Sequence, residues 1–166
     1  MSPEIFIRRI AQAPIAGPIF AIISALALAA AYTAQFGFGL EPCILCLYQR
    51  IPYAIIMVLG GVAYFTPLPV SRLIIFGIGL LFAAGAATGF FQVGVEQHWW
   101  LGTEACTTTF EGDSIEAIRA RIMGTPHARC DQIAWSMFGI SMAGYNFLFS
   151  LGLAACAFTS LFIRKN

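Results

Sequence analysis

Apolar residues in this chain gather into long runs instead of alternating with polar ones. A helix that crosses a hydrocarbon core about 30 Å thick needs about 20 mostly apolar residues. Three stretches reach that length without an Asp, Glu, Lys or Arg: Pro14 to Phe36, Leu73 to Val95, and Ile140 to Ile163. A fourth, Ile44 to Phe65, is long enough but carries Arg50 and Pro52 near its start. Pro52 removes a backbone donor and is expected to bend its helix, which membrane helices tolerate when neighbours cover the gap. The pattern predicts an all-α membrane protein, a four-transmembrane-helix bundle forming one integral membrane domain over residues 1–166. Its two outer loops are 37–43 and the long 96–139. Inside the long loop, Ser114 to Met123 reads as a short amphipathic helix with Ile115, Ile118, Ile122 and Met123 on one face. Such a helix lies on the membrane surface, or packs as a small lid on the bundle. Trp99, Trp100 and Trp135 flank the loop, where interfacial indoles belong. Gly77, Gly79, Gly85 and Gly89, with Ala29 to Ala31, allow close helix approach.

Composition agrees with a lipid environment. The chain is 59% hydrophobic and 10% charged, whereas soluble domains run at about 45–50% and about 25%. Too few charges remain to coat a globule, and so apolar a chain is not disordered. Nine Lys+Arg against eight Asp+Glu give a net charge of +1 with no basic run, which disfavours nucleic-acid binding. An even number of spans puts both termini on one side. Arg8 and Arg9, Arg72 in the Thr66–Arg72 turn, and Arg164 with Lys165 all flank short segments of that side. The positive-inside rule therefore predicts cytoplasmic termini, with 37–43 and 96–139 outside. A cleaved signal peptide, with Arg8 and Arg9 ahead of Ala29-Ala30-Ala31, is the alternative for the first span. Its apolar stretch exceeds the usual h-region of about 7–15 residues, which favours a retained anchor.

The chain's chemistry lies in five cysteines. Cys156, alone in the last span, reads as a small apolar filler. The other four fall on or beside the outer face. Cys43-Ile44-Leu45-Cys46 is a C-x-x-C after Pro42, at the mouth of the second span, where proline suits a first helical turn. Free backbone N–H groups and the helix dipole there stabilise a thiolate, which is what thiol–disulfide exchange needs. Positions 43, 46 and 50 share one helical face. Arg50 either snorkels to headgroups or donates to an oxygen-bearing acceptor beside the thiolate, such as a quinone head group; an intramembrane Arg is a functional hypothesis by default. Cys106 and Cys130 bracket the amphipathic segment. They form a structural staple, part of a redox pair set, or, less compatibly with their wide spacing, half of a four-cysteine zinc site.

With those residues in view, the chain resembles the disulfide bond formation protein B (DsbB) family, the quinone-dependent thiol oxidases of bacterial inner membranes. The resemblance spans nearly the whole chain. It is carried by Pro42-Cys43-Ile44-Leu45-Cys46-Leu47-Tyr48-Gln49-Arg50, by Gly94-Val95-Glu96, and by Trp135 to Asn146. It implies a periplasmic relay in which Cys106 is attacked by a periplasmic thioredoxin-like oxidase of the DsbA type. Cys130 would then exchange with Cys43, and Cys46 would face ubiquinone or menaquinone. Arg50 matches the family arginine of the quinone site, and His98 falls near the position of a family histidine linked to it. Two alternatives remain at this level. One is a non-catalytic membrane scaffold with structural outer-loop disulfides. The other is a quinone enzyme of the vitamin K epoxide reductase type, whose C-x-x-C belongs to a late helix instead of the second of four.

Overall fold

A computed structural model of the chain describes residues 13–103, 106 and 129–162. Among them, α1 (Ala13–Gly37), α2 (Ile44–Phe65), α3 (Leu68–Glu96) and α4 (Met142–Phe162) are each long and apolar enough to cross a membrane. The protein is thus a multi-pass membrane protein built as an all-α bundle. The expected amphipathic helix, Ser114 to Met123, lies outside the described residues.

Two boundaries differ from expectation. The third helix begins at Leu68, five residues ahead of Leu73, so Arg72 lies inside the helix, just past its first turn, and the connection shrinks to Thr66 and Pro67. Pro67 caps that helix and a proline occupies its opening positions, where a missing N–H costs nothing. The last helix begins at Met142, because the chain ahead of it forms a hairpin. In it β1 (Ser136–Met137) pairs antiparallel with β2 (Ile140–Ser141). Its two turn residues, Phe138 (φ 52°) and Gly139 (φ 78°), both take the left-handed conformation that a two-residue hairpin turn demands. The Tyr145 hydroxyl donates to the Met137 carbonyl at 3.0 Å and ties the hairpin to α4.

The helices pack in an open ring. α1 lies along α2, α2 along α3, and α3 along α4, while α1 and α4 barely touch. Glycines permit the closest approaches: Gly17 and Gly60 meet where α1 crosses α2, and Gly89 sits against the backbone of Phe147 in α4. Gly77 faces open space and takes no part. The core joins Phe20, Tyr53, Ile56, Ile75, Ile78 and Phe82, with Phe82 making edge-to-face contacts to Phe20 (5.7 Å) and Tyr53 (5.9 Å). Large apolar side chains such as Ile22, Leu26, Val58 and Leu73 point outward, while Gln49, Gln92, Glu96 and Ser150 are buried. That is the distribution lipid requires, since every polar group must find its partner inside. Cys156, expected as filler, is exposed on the outer surface of α4.

Candidate functional site: a row of thiols above an apolar cavity

The site occupies the end of the bundle where α2 begins and α3 ends. Helix α2 starts at Ile44, so Cys43 is its N-cap and Pro42 stands one residue outside the helix instead of in its first turn. Cys43 holds an extended backbone (φ −72°, ψ 168°), and its Sγ accepts from the Cys46 N–H at 3.3 Å. A sulfur thus does the work usually given to a Ser or Asp oxygen. The same cap brings the Cys43 and Cys46 sulfurs to 2.8 Å.

The other two cysteines converge on this cap. Cys130 is 1% exposed, and its sulfur contacts the thiols of Cys43 and Cys106 together with the backbone N–H groups of Leu45 and Ile44. Cys106 is also buried and accepts from the Thr103 hydroxyl at 3.3 Å. The four sulfurs form a continuous row in the order Cys106, Cys130, Cys43, Cys46. The arrangement separates their acidities. The Cys43 thiol donates to Cys130 and lowers its pKa to about 6; Cys106 and the Leu45 and Ile44 N–H groups add to this against the opposing effect of burial. Cys43 is pushed up by the same bond, seen from the donor side, and by its contact with Cys46. Burial, and then donation to Cys130, raises Cys106 to about 11. Beside Cys130, Arg129 donates to both carboxylate oxygens of Asp131 (3.0 and 2.6 Å), which fixes the turn and holds the Asp131 carboxyl below its usual range.

Below the thiols lies a cavity of about 650 Å³. Its walls come from α1 and α4, the two helices that scarcely touch, and from the α2 and α3 segments bearing Cys46, Gln49, Arg50, Gln92 and Glu96. Arg50 is on this wall but does not reach the sulfurs. Its Nη1 donates to Gln35 Oε1 at 2.6 Å, and its guanidinium lies 4.8 Å from the ring centroid of Tyr32. His98 is exposed just past the end of α3, with φ 58°, and is absent from the cavity wall.

The side chain that touches both C-x-x-C sulfurs, Gln92, is not marked by the sequence, and Gln49, Glu96 and Asn146 stand there only within the segments that carry the resemblance. Gln92 Nε2 donates to Cys43 and Cys46, each at 3.3 Å, and to Glu96 Oε1 at 3.4 Å. Gln92 Oε1 accepts from Gln49 Nε2 at 2.6 Å, and Gln49 Oε1 accepts from Asn146 Nδ2 at 2.6 Å. Asn146 Oδ1 accepts from the Tyr53 hydroxyl at 2.8 Å, which also bonds Ser150 at 2.8 Å. Glu96 is 8% exposed, and its Oε2 is buried without a hydrogen-bond partner. Gln49, Gln92, Asn146, Tyr53 and Ser150 could have been found as neutral amides and hydroxyls within otherwise apolar runs.

Four apolar helices around a contiguous row of thiols define a membrane-embedded thiol–disulfide protein. Comparison with known proteins narrows the class. The family model for disulfide bond formation protein DsbB matches residues 15–160, and the chain belongs to that family. A protein named disulfide bond formation protein B from Stutzerimonas stutzeri (strain A1501) is 30% identical over 149 residues, covering 85% of this chain and 90% of that one. A protein of the same name from Xanthomonas oryzae pv. oryzae is 28% identical over 146 residues, covering 81% and 82%. An uncharacterized protein of Rickettsia prowazekii is 30% identical over 150 residues, covering 87% and 85%. No solved structure gives a significant match. Membership of the family carries a redox-enzyme role in general for the chain.

Proposed function

We propose that the protein is a membrane thiol:quinone oxidoreductase of the bacterial inner membrane that reoxidises a periplasmic DsbA-type disulfide donor. In this reading both termini are cytoplasmic and the cysteine row faces the periplasm. The observation that carries it is the position of Cys130, in contact with Cys106 on one side and Cys43 on the other.

The steps follow the row of sulfurs. A thiolate of the reduced partner attacks Cys106 in a Cys106–Cys130 disulfide and releases Cys130; the partner's second thiol then displaces Cys106 and leaves the partner oxidised. Cys130 attacks Cys43 in a Cys43–Cys46 disulfide, and Cys46 departs as a thiolate. Cys106 next attacks Cys130 in the mixed disulfide, which restores Cys106–Cys130 and frees Cys43 as a thiol. Re-forming Cys43–Cys46 from this thiol and thiolate would give up two electrons and one proton, and with a second proton from water a quinone would be reduced to quinol. Cys130 is released from its disulfide as a thiolate, and with Cys43 held in the second disulfide the Leu45 and Ile44 N–H groups remain to stabilise that charge, so it can attack without a separate base.

The cavity suits a quinone head group: it is largely apolar, open between α1 and α4, and bordered by Cys46 and Arg50. Arg50, pinned by Gln35 and Tyr32, would present its remaining donors to a quinone carbonyl. The test uses purified protein, a reduced thioredoxin-like donor and a soluble quinone analogue. Quinone reduction should be abolished when Cys43 and Cys46 are both changed to Ser; persistence would overturn the mechanism.

A further inference from the structure

The amide network below the thiols has a direction. From Tyr53 to Asn146 to Gln49 to Gln92, each side chain accepts with its oxygen from the previous member and donates with its hydrogen to the next. The last donor, Gln92 Nε2, ends on Cys43 and Cys46. Gln92 Oε1 also lies 3.8 Å from Cys46 Sγ, a long contact in which a protonated Cys46 donates. The two closer contacts, at 3.3 Å, come from Nε2, and reversed amides would put oxygen in their place, which favours thiols over thiolates.

We infer that Tyr53, Asn146, Gln49 and Gln92 act together as positioning residues, a directed hydrogen-bond ladder that aims the Gln92 amide N–H at Cys46 and stabilises its thiolate. The inference deepens the proposed function by naming what receives negative charge when Cys46 leaves from a disulfide. Two features of the geometry support it. Three members come from three different helices, α2, α3 and α4, so the ladder is fixed by the bundle and not by one flexible segment. Its shortest amide bonds, 2.6 Å each, are the two that set the orientations of Gln49 and Gln92. Aligned dipoles in a chain polarise one another, and in a low dielectric their effect on a terminal charge is strengthened. Cys46 also keeps the Cys43 contact, so the ladder adds to the cap and does not replace it.

The test measures Cys46 alone, with no quinone and no partner, so a wrong oxidoreductase reading would leave its result standing. In full-length protein with Cys43, Cys106, Cys130 and Cys156 changed to Ser, the rate of alkylation of Cys46 is followed against pH in lipid nanodiscs. Gln92→Leu should lower the thiolate fraction about tenfold at a fixed pH below the midpoint, the effect of losing one hydrogen bond to a charge. Gln49→Leu should lower it by a smaller factor, and Tyr53→Phe, which touches no sulfur, by a factor of about two. Tyr53→Phe deletes a single oxygen and guards against variants that do not fold. A graded loss in that order supports the ladder. An unmoved midpoint in Gln92→Leu overturns it, and so does a shift in Gln92→Leu that is absent from both Gln49→Leu and Tyr53→Phe.

Discussion

Cys130 offers the sharpest quantitative test of the thiol row, because its acidity depends on contacts that single substitutions remove. An ordinary cysteine thiol titrates near 9.0, and Cys130 is held at about 6. A lowered pKa means that the thiolate is present at neutral pH and is lost as pH falls through about 6. At pH 7 the ionised share is about 90%, against about 1% for an unperturbed thiol. The absolute rate says less, since each thiolate is also less nucleophilic by about 20-fold over such a shift, and Cys130 is almost fully buried. The ratio of rates at two pH values cancels both effects. Between pH 5 and pH 8 the alkylation rate of Cys130 should rise about 11-fold, whereas a thiol at 9.0 would rise about 900-fold. The assay is timed alkylation of the fully reduced protein with a small reagent, read by mass spectrometry of the Cys130 peptide. Cys43→Ala removes the leading cause of the shift while leaving Cys106 and the Leu45 and Ile44 N–H groups in place. Loss of one hydrogen bond to a charge, worth about 1.5–3 kcal/mol, should bring the ratio to about 110- to 600-fold. A wild-type ratio near 900-fold, or an unchanged ratio in Cys43→Ala, would refute the assignment of Cys130 as the ionised member.

Two further predictions concern the bundle and the cavity. Gly17→Leu would set a Cβ 2.7 Å from Ala63 Cβ and 2.8 Å from the Gly60 carbonyl. It should cost about 1–3 kcal/mol in thermal unfolding measured in detergent, while Gly61→Leu, facing open space, should not lower the midpoint. Arg50→Met breaks both the Gln35 bond and the Tyr32 contact. The KM for a soluble quinone should rise about tenfold, with the pH ratio of Cys130 unchanged.

The spans were legible because length and the absence of charge are properties of a stretch of chain by itself. Boundaries were less so, and each miss has a local cause. Arg72 was read as a turn residue, yet a long cationic side chain at a helix end can reach the interface while its backbone stays helical; the Thr66-Pro67-Leu68-Pro69 sequence was the better marker. The hairpin went unseen because its first strand, with Met137 and Phe138, was read as the end of the long loop and its second, from Ile140, as the start of the last span; only the backbone reveals that Phe138 and Gly139 turn back. At the site, residue type pointed to Cys43, Cys46, Cys106, Cys130 and Arg50 as candidates. It could not reveal that Cys130 bridges the two pairs, since that contact joins the long loop to α2. Gln49 and Asn146 stand in the segments that carry the resemblance but without a role of their own, and Gln92 is a lone amide in an apolar run. In hydrocarbon a neutral amide obeys the same demand as a charge, that each buried donor and acceptor be met by protein. Gln49, Gln92 and Asn146 stand one on each of α2, α3 and α4, so satisfying them requires those three helix faces to meet. The thiols sit where that interior ends. A scarce amide inside a span therefore marks both which way a helix turns and where a reactive sulfur can be held.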